Sequence, residues 1–189
     1  MGNKAILMSI QTKWVAKILN GEKTIEVRKK FPKDYVGWVY IYNTKRTKEG
    51  VLKLIYVGNK LEFVLAYGKT SKYQGKVVAR FWCNKVEEMW QGEDGGSFFT
   101  DTIKKPYKVS ELACISDDDI EIYFDGENGY AIHITRLEIL DKPMVLTMFR
   151  KVGFRKFLND SKPNRMSLLE TLKKYSITKA PQSWQYIED

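Results

Sequence analysis

The sequence predicts an α+β fold, a small mixed β-barrel with flanking helices, in one domain spanning 1–189. Two observations carry that expectation. Extended segments outnumber helical ones, and they are not regularly interleaved with long helices, which argues against a doubly wound sheet. Length supplies a third limit: 189 residues suffice for one well-cored domain and would crowd two. A hydrophobic content of 43% and an aromatic content of 13% suit a globular chain and are too high for a disordered one.

Taken in order, residues 5–10 read as a first strand, rich in Ile, Leu and Met and too short for a helix. Thr12 is the expected N-cap of a helix running to Asn20, with Trp14, Val15, Ile18 and Leu19 on one stripe and Lys13 and Lys17 outside it. Asn20-Gly21 marks a turn, and 24–28 is extended. A basic loop with Pro32 and Gly37 follows, then the aromatic strand 38–43, WVYIYN. Near 51–67 two apolar runs flank Gly58-Asn59, a two-residue turn signal, so an inserted hairpin is expected.

Residues 75–90 form a longer extended run, with Val77, Ala79, Phe81 and Cys83 expected on one face. A Gly-, Asp- and Thr-rich loop covers 91–108. Ser110 and Ser116 read as helix N-caps, and Asp117, Asp118 and Asp119 suit a helix N-terminus electrostatically. The cluster DGENG, 125–129, is a turn before the last long strand, 130–140. Beyond Pro143 the character changes to a helical extension near 144–178, with SLLETLKKY as its amphipathic helix.

The charge balance is basic: 32 Lys and Arg against 23 Asp and Glu, a formal +9. Such a surplus favours phosphate-bearing partners through counterion release, so RNA or a nucleotide is the expected partner. The plain alternative is solubility alone. Cys83 and Cys114 without a CxxC, and a single His, exclude a zinc module by ligand count, and no cofactor is expected. The apolar run AILMSI is too short for a signal segment or a membrane span, so the expected location is cytoplasmic.

The stretch GEKTIEVR, 21–28, concentrates the chemistry. Strand alternation puts Ile25 and Val27 on one face and Thr24, Glu26 and Arg28 on the other, with Lys23 at the strand's entrance. Arg28 offers a planar fork for a phosphate or a base edge, and Lys23 a point charge. Glu26 can accept from a base amino group or act as a general base. The plain reading of this set is a salt-bridged strand face of little energetic weight.

These segments resemble a known family. The opening ILMSIQTKWVAKILNGEKTIEVRKKFPK closely resembles the ASCH domain, of the PUA-like superfamily, and GKVVARFWCNKVEE resembles its central strand. YAIHITRLEILDKPMVL resembles its last long strand, and APQSWQYIE the C-terminal segment of a phage and prophage branch. The resemblance implies a closed or nearly closed PUA-like barrel, a cleft beside the first helix, and RNA or modified-base binding. It also implies two alternatives: hydrolysis of RNA or an acylated nucleobase, as a ribonuclease or amidohydrolase, and a phage protein that binds a host factor. Against a GxKTxTxR pattern, Lys23 matches the lysine of the hydrolase branch, whereas Glu26 stands where that branch carries its nucleophilic threonine.

The candidate catalytic pair is therefore Lys23 and Glu26. The candidate nucleic-acid-binding set is Lys23, Glu26, Arg28, Lys13, Lys29, Tyr42 and Trp184, with no metal ligand among them. Tyr42 and Trp184 are possible stacking surfaces for unpaired bases. Trp184 reads equally well as core, and Trp14, on the helix stripe with Ile18, reads as core. His133, between Ile132 and Ile134, reads as a core or barrel-lining residue rather than a base. The residues rank binding first and catalysis second.

Overall fold

The computed structural model describes residues 4–45, 50–93, 95–161 and 163–189. In chain order the elements are β1 (Lys4–Ile10), α1 (Thr12–Leu19), β2 (Ile25–Arg28), β3 (Gly37–Asn43), β4 (Val51–Val57) and β5 (Lys60–Ala66). There follow β6 (Lys76–Gln91), β7 (Phe98–Phe99), α2 (Lys108–Ala113), α3 (Asp117–Phe124) and β8 (Gly129–Met144). A 3-10 turn at Leu146–Met148 leads to β9 (Arg150–Lys151), α4 (Phe154–Ser161), α5 (Arg165–Tyr175) and β10 (Trp184–Glu188).

One mixed sheet runs in the order β2-β8-β6-β3-β1-β10-β9, with β7 paired to the far end of β6, and β4-β5 form a separate ribbon. β1 is its inner strand, parallel to β3 and antiparallel to β10. That position explains the burial of every residue from Ala5 to Ile10, all apolar but Ser9, since both faces are covered. Ile6, Met8 and Ile10 enter the core under α1 and the β4-β5 ribbon. Ala5 and Leu7 enter a second core with Tyr40, Tyr42, Leu146, Phe149 and Ile177. A third core joins Ile25, Val27 and Ala131 to Val109, Ala113, Ile120 and Phe124, and so seats α2 and α3 on β2 and β8.

The expected closed barrel is corrected to an open sheet. Among the described residues no ladder joins β2 to β1 or to β9. β1 already has both edges paired, so β2, four residues long, has only β8 to bond. The gap between β2 and β1 is bridged instead by a side chain, Arg28 Nη2 donating to Ser9 O at 2.8 Å.

Three local expectations also change. Gln11, not Thr12, holds the N-cap position of α1. Thr12 lies inside the helix and donates to Asn43 Oδ1 at 2.9 Å, tying α1 to the end of β3. Ser110 lies inside α2 and donates to Asp117 Oδ2 at 2.9 Å, whereas Ser116 caps α3 by accepting from Asp119 N. Val77 joins the second core while Ala79, Phe81 and Cys83 join the first, because register shifts near Val77 break the period of two. The C-terminal QSWQYIED supplies β10. The two thiols are free, Cys83 buried and Cys114 half-buried.

The turn after α1 orients both β2 and the ribbon. Gly21, at φ 77, takes a left-handed conformation that a side chain would strain, and its N–H reaches Ile18 O. Asn20 then clasps the ribbon, donating to Phe63 O and accepting from Phe63 N, both at 2.9 Å.

Candidate functional site

A cleft of roughly 410 Å³ opens between α1 and α3, with β2 as its floor. Glu26 and Arg28 come from the floor, Lys13 and Trp14 from α1, and Asp119 and Tyr123 from α3. Ser9, Gln11, Thr44 and Gln182 complete the rim. Alternation along β2 places these groups: Ile25 and Val27 go into the third core, so Glu26 and Arg28 face the other way.

Glu26 lies between two cations. Its Oε1 is 2.8 Å from Arg28 Nη2, and its Oε2 is 3.4 Å from Lys23 Nζ. Side-chain exposures of 0% for Lys23, 6% for Glu26 and 12% for Arg28 mark this as a desolvated ion triad rather than a surface strand face. Lys23 is not at an open entrance. Its ammonium donates to Ala113 O at 2.6 Å and lies 5.3 Å from the Trp14 ring centroid. Burial, outweighing the attraction of Glu26 beside it, holds the Lys23 ammonium below the usual lysine range. Lys23 thus straps the C-terminal end of α2 to the floor, helped by Thr24 N donating to Leu112 O.

Arg28 spends Nη2 on Ser9 O and Glu26, while its Nε is buried with no hydrogen-bond partner among the described residues. A buried donor left in that state is costly unless a ligand or water meets it. Trp14 packs on the first core and also lines the cleft, and Lys13 Nζ lies 4.6 Å from its ring centroid.

Other candidates fall elsewhere. Tyr42, expected as a stacking surface, is 2% exposed in the second core and offers no face to a base. Burial raises its phenol pKa. Lys29 lines a different hollow, with Lys30, Phe31 and Tyr130. Trp184 donates its indole N–H to Lys30 O at 2.7 Å and packs edge-on against Phe31; its neighbour Gln182, not Trp184, lines the cleft. Thr24 is absent from the cleft lining.

His133 has a partner that sequence reasoning missed. Its Nε2 lies 2.6 Å from Glu87 Oε2, and Glu87 also accepts from Thr102 Oγ1 and N and sits 3.1 Å from Lys85 Nζ. Burial works to raise the Glu87 pKa, but the bonds from Thr102, Lys85 and His133 prevail and hold it down to about 2. This cluster pins the segment after β7 to β6 and β8. Among the described residues no three His, Cys, Asp or Glu side chains converge as a metal site, and no helix is long and apolar enough to cross a membrane.

In its overall fold the chain is like solved ASCH proteins. In particular, the chain is similar to the solved ASCH protein of Zymomonas mobilis. A tyrosine-to-phenylalanine mutant of that protein superposes with a TM-score of 0.53 at 14% identity, covering 99% of this chain and 92% of that one. A serine-to-alanine mutant gives 0.52 at 14% identity, covering 98% and 89%. At that identity the likeness is one of fold. No protein-family model and no curated protein matches the chain.

Proposed function

We propose that the chain binds single-stranded RNA, or a modified nucleoside within it, in the cleft between α1 and α3. The observation that carries this reading is Arg28 Nε, a buried donor without a partner among the described residues, on a side chain that lines the cleft together with Trp14 and Lys13. A base or phosphate acceptor satisfies that donor, the Trp14 ring gives a stacking surface, and Lys13 meets a backbone phosphate. Each Glu26 oxygen, already engaged by one cation, keeps a lone pair for a base amino group. The formal +9 supports a polyanionic partner. The same proposal includes a phage or prophage branch, which the likeness of APQSWQYIE supports.

Hydrolysis takes second place. Lys23, the lysine of the hydrolase-like motif, has no exposed side-chain surface and commits its ammonium to Ala113 O and Glu26. Nor does Glu26 supply the hydroxyl nucleophile of that motif.

Fluorescence anisotropy of a labelled single-stranded RNA 12-mer, titrated over a salt series, tests the binding reading. Arg28→Ala is expected to weaken binding about tenfold or more, from loss of a charged hydrogen bond. Lys13→Ala should reduce the salt slope by about one. Unchanged affinity in both variants overturns the proposal, and cleavage of the RNA by the wild type alone moves hydrolysis to first place.

A further inference from the structure

The β4-β5 ribbon belongs to no larger sheet, so each of its strands has an unpaired edge. Register decides which β4 groups face that edge. The two-residue turn makes Val57 and Lys60 the first ladder pair, which points the odd-numbered residues of β4 toward β5 and the even-numbered ones outward. Leu52 agrees with this parity. Its N–H donates to Gln74 Oε1 at 3.5 Å and its carbonyl accepts from Ser71 Oγ at 2.5 Å, both outside the ribbon.

Leu54 and Tyr56 are the next outward positions, and among the described residues nothing bonds their outward N–H and C=O groups. Beside them lies a hollow of about 350 Å³, lined by 52–55 and 71–73. The ribbon's end is apolar yet in water: Tyr56 is 74% exposed, Leu61 49%, Val57 48% and Ile55 43%. An unpaired edge with exposed apolar residues is a template for another strand. Its charge is one-sided, with Lys53, Lys60, Lys69 and Lys72 against Glu62 between 51 and 73.

We propose that the outer edge of β4 takes up an extended segment of another protein, alternating apolar and acidic residues, as an added strand. The segment's backbone pairs with Leu54 and Tyr56. Its apolar side chains lie beside theirs, and on the opposite face, which Lys53 shares with Ile55 and Val57, the carboxylate set next to Lys53 is attracted to it across the neighbouring strands. A second copy of this chain is the poorer occupant, since it sets one lysine-rich ribbon against another. RNA offers no strand backbone to complete the ladder.

The probes are two fluorescein-labelled octapeptides, one alternating valine and glutamate, the other valine and lysine, titrated into the full chain by anisotropy. The glutamate peptide is expected to bind about tenfold or more tightly than the lysine peptide and to slow hydrogen exchange at Leu54 and Tyr56. Tyr56→Pro removes an outward N–H without touching the ladder to β5, and should cost about tenfold in peptide affinity. Lys53→Glu, which leaves the backbone alone, should reverse the peptide preference. Both variants should keep the RNA affinity of the wild type, so a failure here is separable from a failure of the cleft reading. Equal binding of the two peptides, or full binding by Tyr56→Pro, overturns the proposal. So does protection of the two amides by self-association or by RNA.

Discussion

Replacing Glu26 with glutamine removes the carboxylate that separates a buried cation, Lys23, from a largely desolvated one, Arg28. At 2.8 and 3.4 Å each ion contact has a Coulomb attraction of about 5–6 kcal/mol at an effective dielectric of about 20. Withdrawal of the charges from water cancels most of this. The variant, however, keeps Lys23 and Arg28 desolvated with nothing between them, a condition that costs about 3–5 kcal/mol. In a chain of this length that corresponds to a fall in Tm of about 6–20 °C. Lys23→Met should be milder, about 1–3 kcal/mol, because Arg28 stays on Glu26 and the principal loss is the bond to Ala113 O. The double variant should cost about 1 kcal/mol or more less than the two single costs added together, as expected for residues in one ion network. Urea denaturation of the four proteins measures all three quantities. A Glu26→Gln cost below about 1 kcal/mol, or strict additivity, refutes the ion-triad reasoning. The same result governs any turnover assay, since Glu26→Gln has to be assayed below its own lowered Tm.

Three further outcomes are expected. Glu87, held at about 2 against an ordinary 4.5, contributes stability that is fully present above pH 4.5 and lost as pH falls toward 2. The amount is about 3 kcal/mol, and Glu87→Gln should flatten that acid limb in urea midpoints measured against pH. Trp14→Leu should weaken RNA binding by about tenfold or more through lost stacking, whereas Tyr42→Phe should leave it unchanged in the same anisotropy titration. Finally, a Cβ on Gly129 would overlap the ring of Phe124, so Gly129→Ala should lower stability by about 1–3 kcal/mol without altering the cleft residues, as read by denaturation and RNA affinity together.

Much of the local structure was legible because it rests on neighbours in sequence. The ribbon's turn at Gly58-Asn59, the cap at Ser116 and the opposite faces of Ile25 and Glu26 all follow from short-range geometry. Tyr42 was misread because alternation tells which residues share a face, not whether that face is covered. Here Leu146, Phe149 and Ile177, more than a hundred residues later, cover it. The partner of His133 was invisible for the same reason, since Glu87 is 46 positions away.

By itself the sequence determined the α+β character, the basic charge and the gathering of Lys23, Glu26 and Arg28 into one short segment, because composition and the period of two are local properties. Only the tertiary structure decided that the sheet stays open, since among the described residues no ladder joins its end strands, β2 and β9. It also decided that Lys23 is a buried strap, because Ala113, ninety positions on, supplies the carbonyl that holds its ammonium. A charge in a sequence carries no dielectric of its own; the chain segments folded around it set whether it meets water, a ligand or another charge.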